Sequence, residues 1–267
     1  MTSPARAACS KYGAVLMISF RQGLANRASV IGRAIFYVLI LLVFSRLWAA
    51  METAGALQGQ GAAELLWYLA LTEWIVISVP WTHLEIEKDV RSGDIAYLLP
   101  RPLSYLGMRL AEGLGSLLVR LLVLGVSGFA AAWLLAGRLP ADPRGLLLAL
   151  PLGVLAGAVC TAFHAAIGVC SFWLQDASPL YWIWQKMCFV LGGLVLPLSI
   201  YPGWLRTAAD WSPFSAILNG PGRLAMDFDP GLALGTFLRL LAWGLLVILL
   251  LRWLYGRGLA ILDVNGG

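Results

Sequence analysis

Charge is what this sequence has least of. Only 12% of its 267 residues are Asp, Glu, Lys or Arg, about half the share found in soluble domains. No GxxxxGK[ST] phosphate loop occurs anywhere, so the chain carries no visible means of hydrolysing ATP by itself. Histidine is down to two residues, and the four cysteines, Cys9, Cys160, Cys170 and Cys188, sit at unrelated spacings. That pattern makes neither a metal cluster nor a disulfide framework, and the cysteines read as small buried hydrophobes.

What fills the chain instead is apolar: 60% of residues are hydrophobic and the mean hydropathy is +0.80. A bilayer core about 30 Å thick takes roughly 20 helical residues per crossing, so this length holds six crossings and no separate soluble domain. The hydropathy predicts them over residues 29–50, 62–82, 108–136, 145–173, 180–200 and 232–255. Ahead of the first, Tyr12, Val15, Leu16, Phe20 and Leu24 recur at three- and four-residue steps among Lys11, Arg21 and Arg27. This pattern predicts a basic amphipathic helix on the membrane surface within residues 1–28. Its apolar run is too short for a removed signal peptide. Residues 201–230 mix tryptophan and phenylalanine with four prolines, which suits a re-entrant or interfacial segment. The expected fold class is therefore an all-α integral membrane protein forming one transmembrane domain over residues 1–267.

The formal net charge of +5 reads as topology rather than as a nucleic-acid footprint. With the amino terminus inside, basic residues flanking the inner ends outnumber those at the outer ends about two to one, which predicts both termini in the cytosol. The polar interval from His83 to Tyr105 is then cytosolic. It carries Glu85, Glu87, Lys88, Asp89, Arg91 and Asp94 around Gly93, then a Pro100-Arg101-Pro102 turn. A short charged helix closed by a turn suits insertion into a groove on a soluble partner, with movement passed to the flanking spans. The plainer alternative is a solvated loop.

Ionisable residues inside spans are costly and normally paired. Counted from the cytosolic loop, Glu73 and Arg120 differ in depth by only about 3 Å, so an ion pair between them is expected. His164 reads as a helix-to-helix hydrogen-bonding residue rather than a metal ligand. An enzyme is weighed on Gly125-Val126-Ser127-Gly128, which resembles the Gly-x-Ser-Gly of rhomboid intramembrane proteases, with His164 as the base. The two lie about 15 Å apart in depth, far beyond the contact a nucleophile needs with its base, so no catalytic residue is expected. A channel or scaffold without an ATPase partner stays open as an alternative, although most spans carry one mid-depth ionisable residue or none.

The amphipathic start, the six crossings, the stretch IEKDVRSGDIAYLLPRPLS from Ile86 to Ser104 and WSPFSAILNGP from Trp211 to Pro221 together resemble a type-2 ATP-binding-cassette exporter permease. In particular the chain resembles the bacterial subfamily associated with export of drugs and viologens. The resemblance covers essentially the whole chain. It implies a second permease chain, identical or related, and an efflux path for amphipathic, drug-like or lipid-like substrates in the bacterial cytoplasmic membrane. It also implies cytosolic ATPase subunits that hold ATP and Mg, with no cofactor in this chain and no nucleic-acid partner. Glu85, Glu87, Lys88, Asp89, Arg91 and Asp94 would dock the ATPase, Gln175 and Asp176 in the turn up to Ser178 would make a second contact, and residues 201–230 would cap the outer end.

Overall fold

The computed structural model describes residues 4–57, 60–140, 142–174 and 176–266. Among them every regular element is helical. The chain runs through α1 (Pro4–Ala25), α2 (Arg27–Thr53), α3 (Ala62–Ser78), α4 (Thr82–Ser92), the single turn α5 (Ile95–Leu98) and α6 (Tyr105–Ala136). It continues with α7 (Pro143–Val169), a 3-10 turn at Cys170–Phe172, α8 (Ser178–Leu191), α9 (Gly203–Asp210), α10 (Pro213–Ile217), α11 (Asn219–Met226) and α12 (Pro230–Gly266).

Five helical stretches among the described residues are long and apolar enough to cross a membrane: α2, α3 together with α4, α6, α7 and α12. They define an all-α, multi-pass membrane protein. The expected second crossing does not end in a loop at residue 82, because the chain breaks at Pro80 and resumes as α4. The expected fifth crossing is divided. Its helix α8 has 14 residues, about 21 Å at helical rise, and stops at Gly192 and Gly193, the latter at φ 65°. A left-handed glycine followed by Pro197 ends a helix firmly.

In a bilayer, helices gain little from apolar burial alone, and small residues that let backbones approach closely replace that drive. Helix α6 shows this along its length. A Cβ on Gly115 would strike the carbonyl of Leu16, and one on Gly107 would meet the Tyr12 ring, so α1 lies directly on α6. The Ser104 N–H donates to the Tyr12 hydroxyl at 3.1 Å and fixes the register. Further along, Gly128 makes room for the ring of Tyr37 from α2.

Helix α3 runs through the centre of the bundle and is buried on nearly all sides. Its Trp74 indole donates to the Leu121 carbonyl at 2.8 Å. Helices α10 and α11 fold back into the bundle, with Gly222 against the Tyr68 ring and the Leu224 carbonyl against Gly145 of α7. Trp204 and Trp211, flanking this segment, stay exposed. A second, smaller core gathers at the other end of the bundle, where Ile86, Ile95, Tyr105, Val169 and Leu251 meet.

Candidate coupling end of the bundle

The site begins with a proline. Pro80 cannot continue α3 and holds Val79 in an extended conformation, φ −63° and ψ 129°, as the residue before a proline prefers. The break frees backbone carbonyls inside the bundle, where each would be costly if left unpaired. Three side chains from three other helices take them up. Arg33 of α2 donates to Ile77 at 3.3 Å, Arg120 of α6 to Val79 at 3.2 Å, and Nδ1 of His164 in α7 to Pro80 at 3.1 Å.

This arrangement overturns the expected Glu73–Arg120 ion pair. No such pair forms among the described residues: Arg120 is engaged six residues further along, at the frayed end of α3. Glu73 is 7% exposed, without a hydrogen-bond or ion-pair partner among the described residues. It lines a cavity of about 500 Å³ between α2, α3 and α8, together with Phe36, Trp81, Gln185 and Phe189.

Beyond the break, α4 turns one face inward. Thr82, His83, Ile86, Glu87 and Asp89 are buried, and Gly168 of α7 admits His83 and Ile86 by close approach. Two of the expected docking residues are thereby taken for internal use. Glu87 receives the Arg91 guanidinium at 3.2 Å on one oxygen and the Ala177 N–H at 3.3 Å on the other. Asp89 accepts from the Tyr105 hydroxyl at 2.6 Å and from Arg109 Nε at 2.8 Å, while Arg109 also pairs with Glu112 at 2.7 Å. Glu87 and Asp89 are therefore not surface contacts. Their spacing from Ile86 along α4 puts them on or beside the buried stripe, a consequence of helical rather than loop structure.

The remaining candidates, Glu85, Lys88, Arg91 and Asp94, are exposed. Gly93, at φ 77°, caps α4 in the left-handed conformation and turns the chain outward into α5. At that tip Tyr97 is 80% exposed, a residue the charge-based reading passes over although an aromatic in a polar loop is itself a signal. Gln175 lies outside the described residues. Asp176 accepts the Ser178 N–H at 2.8 Å, and hydrogen bonds from Ser178, with Arg91 nearby, hold its carboxyl below the usual carboxylate range. The Glu87 to Ala177 bond thus brings the α4–α5 element and the 176–178 turn to one surface.

Residues weighed for catalysis stay apart. Ser127 donates back along its own helix to Val123 at 3.0 Å. His164 packs instead with His83 and Tyr181, ring centroids 5.3 Å from each, and with Cys160 one helical turn before it, 3.9 Å from Nε2. That neighbouring thiol escaped the sequence reading. Among the described residues no group of three or more His, Cys, Asp or Glu is placed to hold a metal ion.

The described residues form a multi-pass helical bundle with a charged helix packed at one end. The family described as ABC-2 type transporter matches residues 10–220, and the chain belongs to it. Comparison with curated proteins gave no match.

Proposed function

We propose that the chain is the membrane subunit of an ATP-driven exporter and works with a second permease chain and separate cytosolic ATPase subunits. The observation that carries this reading is the Glu87 to Ala177 hydrogen bond. It joins two elements 90 residues apart into one surface, at the end of a helix that continues α3 through the bundle. A partner pushing on α4 would move that composite surface and, through the clamped break at Pro80, the central span.

The α4 end then faces the cytosol, with both chain ends on the same side, as the basic flanks indicate. Lys88, Arg91, Asp94 and Tyr97 form the contact face, with Asp176 beside it. ATP and Mg belong to the partner, and this chain performs no covalent chemistry. The cavity beside Glu73 mixes aromatic and apolar walls with Arg33, Gln185 and one carboxylate, and its volume is that of a small-molecule site. An amphipathic substrate suits it.

The test is affinity co-purification from native membranes in mild detergent, comparing the natural chain with a Lys88→Glu, Tyr97→Ala double variant. Both side chains are exposed, so stability should change by no more than about 0.5 kcal/mol. The reading expects an ATPase bearing a GxxxxGK[ST] motif that the double variant loses while still folding. A folded natural chain that repeatedly yields no ATPase, from membranes in which other complexes survive, would return the channel or scaffold reading.

A further inference from the structure

Arg33 and Arg120 leave a second feature unexplained. Each guanidinium donates one N–H to a backbone carbonyl, Arg33 also lies over the Trp81 ring at 5.1 Å, and neither has a carboxylate partner among the described residues. Two like charges on carbonyls two residues apart, lining one cavity, favour an anion between them. Both line a polar cavity of about 380 Å³ walled by residues of α1, α2, α4 and α6. An adjoining chamber of about 180 Å³ has Arg120 as its one charged wall residue.

The other walls supply donors with no internal use. Ser19 is 7% exposed, and its hydroxyl, like those of Ser116 and the amide of Gln22, makes no hydrogen bond among the described residues while lining both chambers. The acidic residues on the larger cavity are accounted for elsewhere or peripheral: Glu112 is paired with Arg109, and Glu85 stands exposed at the rim. One wall is α1, which exposes Met17, Ile18 and Leu24 beside Arg21, with Arg27 exposed at the start of α2. That combination belongs at a membrane surface rich in anionic headgroups.

We propose that this cavity binds the phosphate of an acidic phospholipid headgroup, gripped by Arg33 and Arg120 and hydrogen-bonded by Ser19, Gln22 and Ser116. Guanidinium groups suit phosphate through parallel N–H donors. The lipid relieves the repulsion between the arginines and steadies the carbonyl clamps at Pro80. The site stands independently of the exporter reading, since its test needs no ATPase.

Native mass spectrometry of the full-length chain, delipidated in mild detergent and titrated with phosphatidylglycerol or phosphatidylcholine, tests it. The expected result is a preference of about tenfold or more for phosphatidylglycerol. An Arg33→Gln, Arg120→Gln double variant removes both charges, and it should lose that preference. Ser116→Ile narrows the cavity while leaving both arginines in place and should weaken the same adduct, which keeps the test intact if the double variant fails to fold. Displacement of the lipid by millimolar inorganic phosphate would overturn the lipid assignment in favour of a soluble phosphoanion. Equal retention of the two lipids by the natural chain, or of phosphatidylglycerol by the natural chain and Ser116→Ile, would overturn the site itself.

Discussion

Arg120 of α6 donates to the carbonyl of Val79 at 3.2 Å, on the last residue before the proline that separates α3 from α4. A charge placed mid-span by hydropathy alone thus serves as a clamp on a broken helix. Replacing Arg120 with Ala leaves that carbonyl unpaired, at a cost of about 1–3 kcal/mol, read as lower thermal stability in detergent. Exchanging the charges, Glu73→Arg with Arg120→Glu, should give no rescue over the single variants. Recovery to the natural stability would show a direct pairing instead.

Glu87 ties α4 to Ala177 and to Arg91. Its replacement by Ala should cost about 1–3 kcal/mol, because a buried N–H loses its acceptor. Glu87→Gln keeps a carbonyl oxygen for that N–H and should cost less. Hydrogen exchange at residues 176–180 should quicken in Glu87→Ala and change little in Glu87→Gln.

Asp89 holds both Tyr105 and Arg109. Asp89→Ala exposes a partly buried guanidinium to loss of one of its two carboxylates, so the cost should approach the roughly 3–5 kcal/mol of a broken buried pair, moderated by the remaining Glu112 contact. Tyr105→Phe should cost about 1 kcal/mol. A cycle combining Asp89→Ala with Arg109→Ala should come out well below the sum of the single effects.

Gly115 sits against the backbone of Leu16, which no rotamer change can relieve. Gly115→Leu should therefore lift α1 from α6 and destabilise the protein by about 1–3 kcal/mol or more. The specific sign is faster hydrogen exchange over residues 10–25 without a matching change in α12.

Much of this architecture was legible in the sequence because apolar length reports directly on a bilayer. The long apolar spans follow from that pattern, as does a helix ahead of the first of them. The divided fifth crossing was not legible: residues 180–200 have the hydropathy of a span, and only the backbone shows that Gly192 and Gly193 end the helix. At the α4 end, the charge run does not tell which faces of the helix are buried. Glu87 and Asp89 look like surface charges until Thr82 to Ser92 is seen as a helix packed on α7, and Tyr97 carries no charge to draw notice. Arg120 was misjudged because depth was counted on an unbroken helix, whereas Pro80 frees carbonyls that compete for the guanidinium.

The α4–α5 tip is proposed to dock an ATPase. It is tested most directly by placing a photo-crosslinking benzoyl-phenylalanine at Tyr97 in native membranes and identifying the product by mass spectrometry. A matched probe at the exposed Trp204, proposed to lie on the opposite side, serves as the control. The account predicts that position 97, and not 204, captures a soluble subunit carrying the GxxxxGK[ST] phosphate loop. Capture of such a subunit from 204 instead, or of lipid alone from both positions, would contradict it.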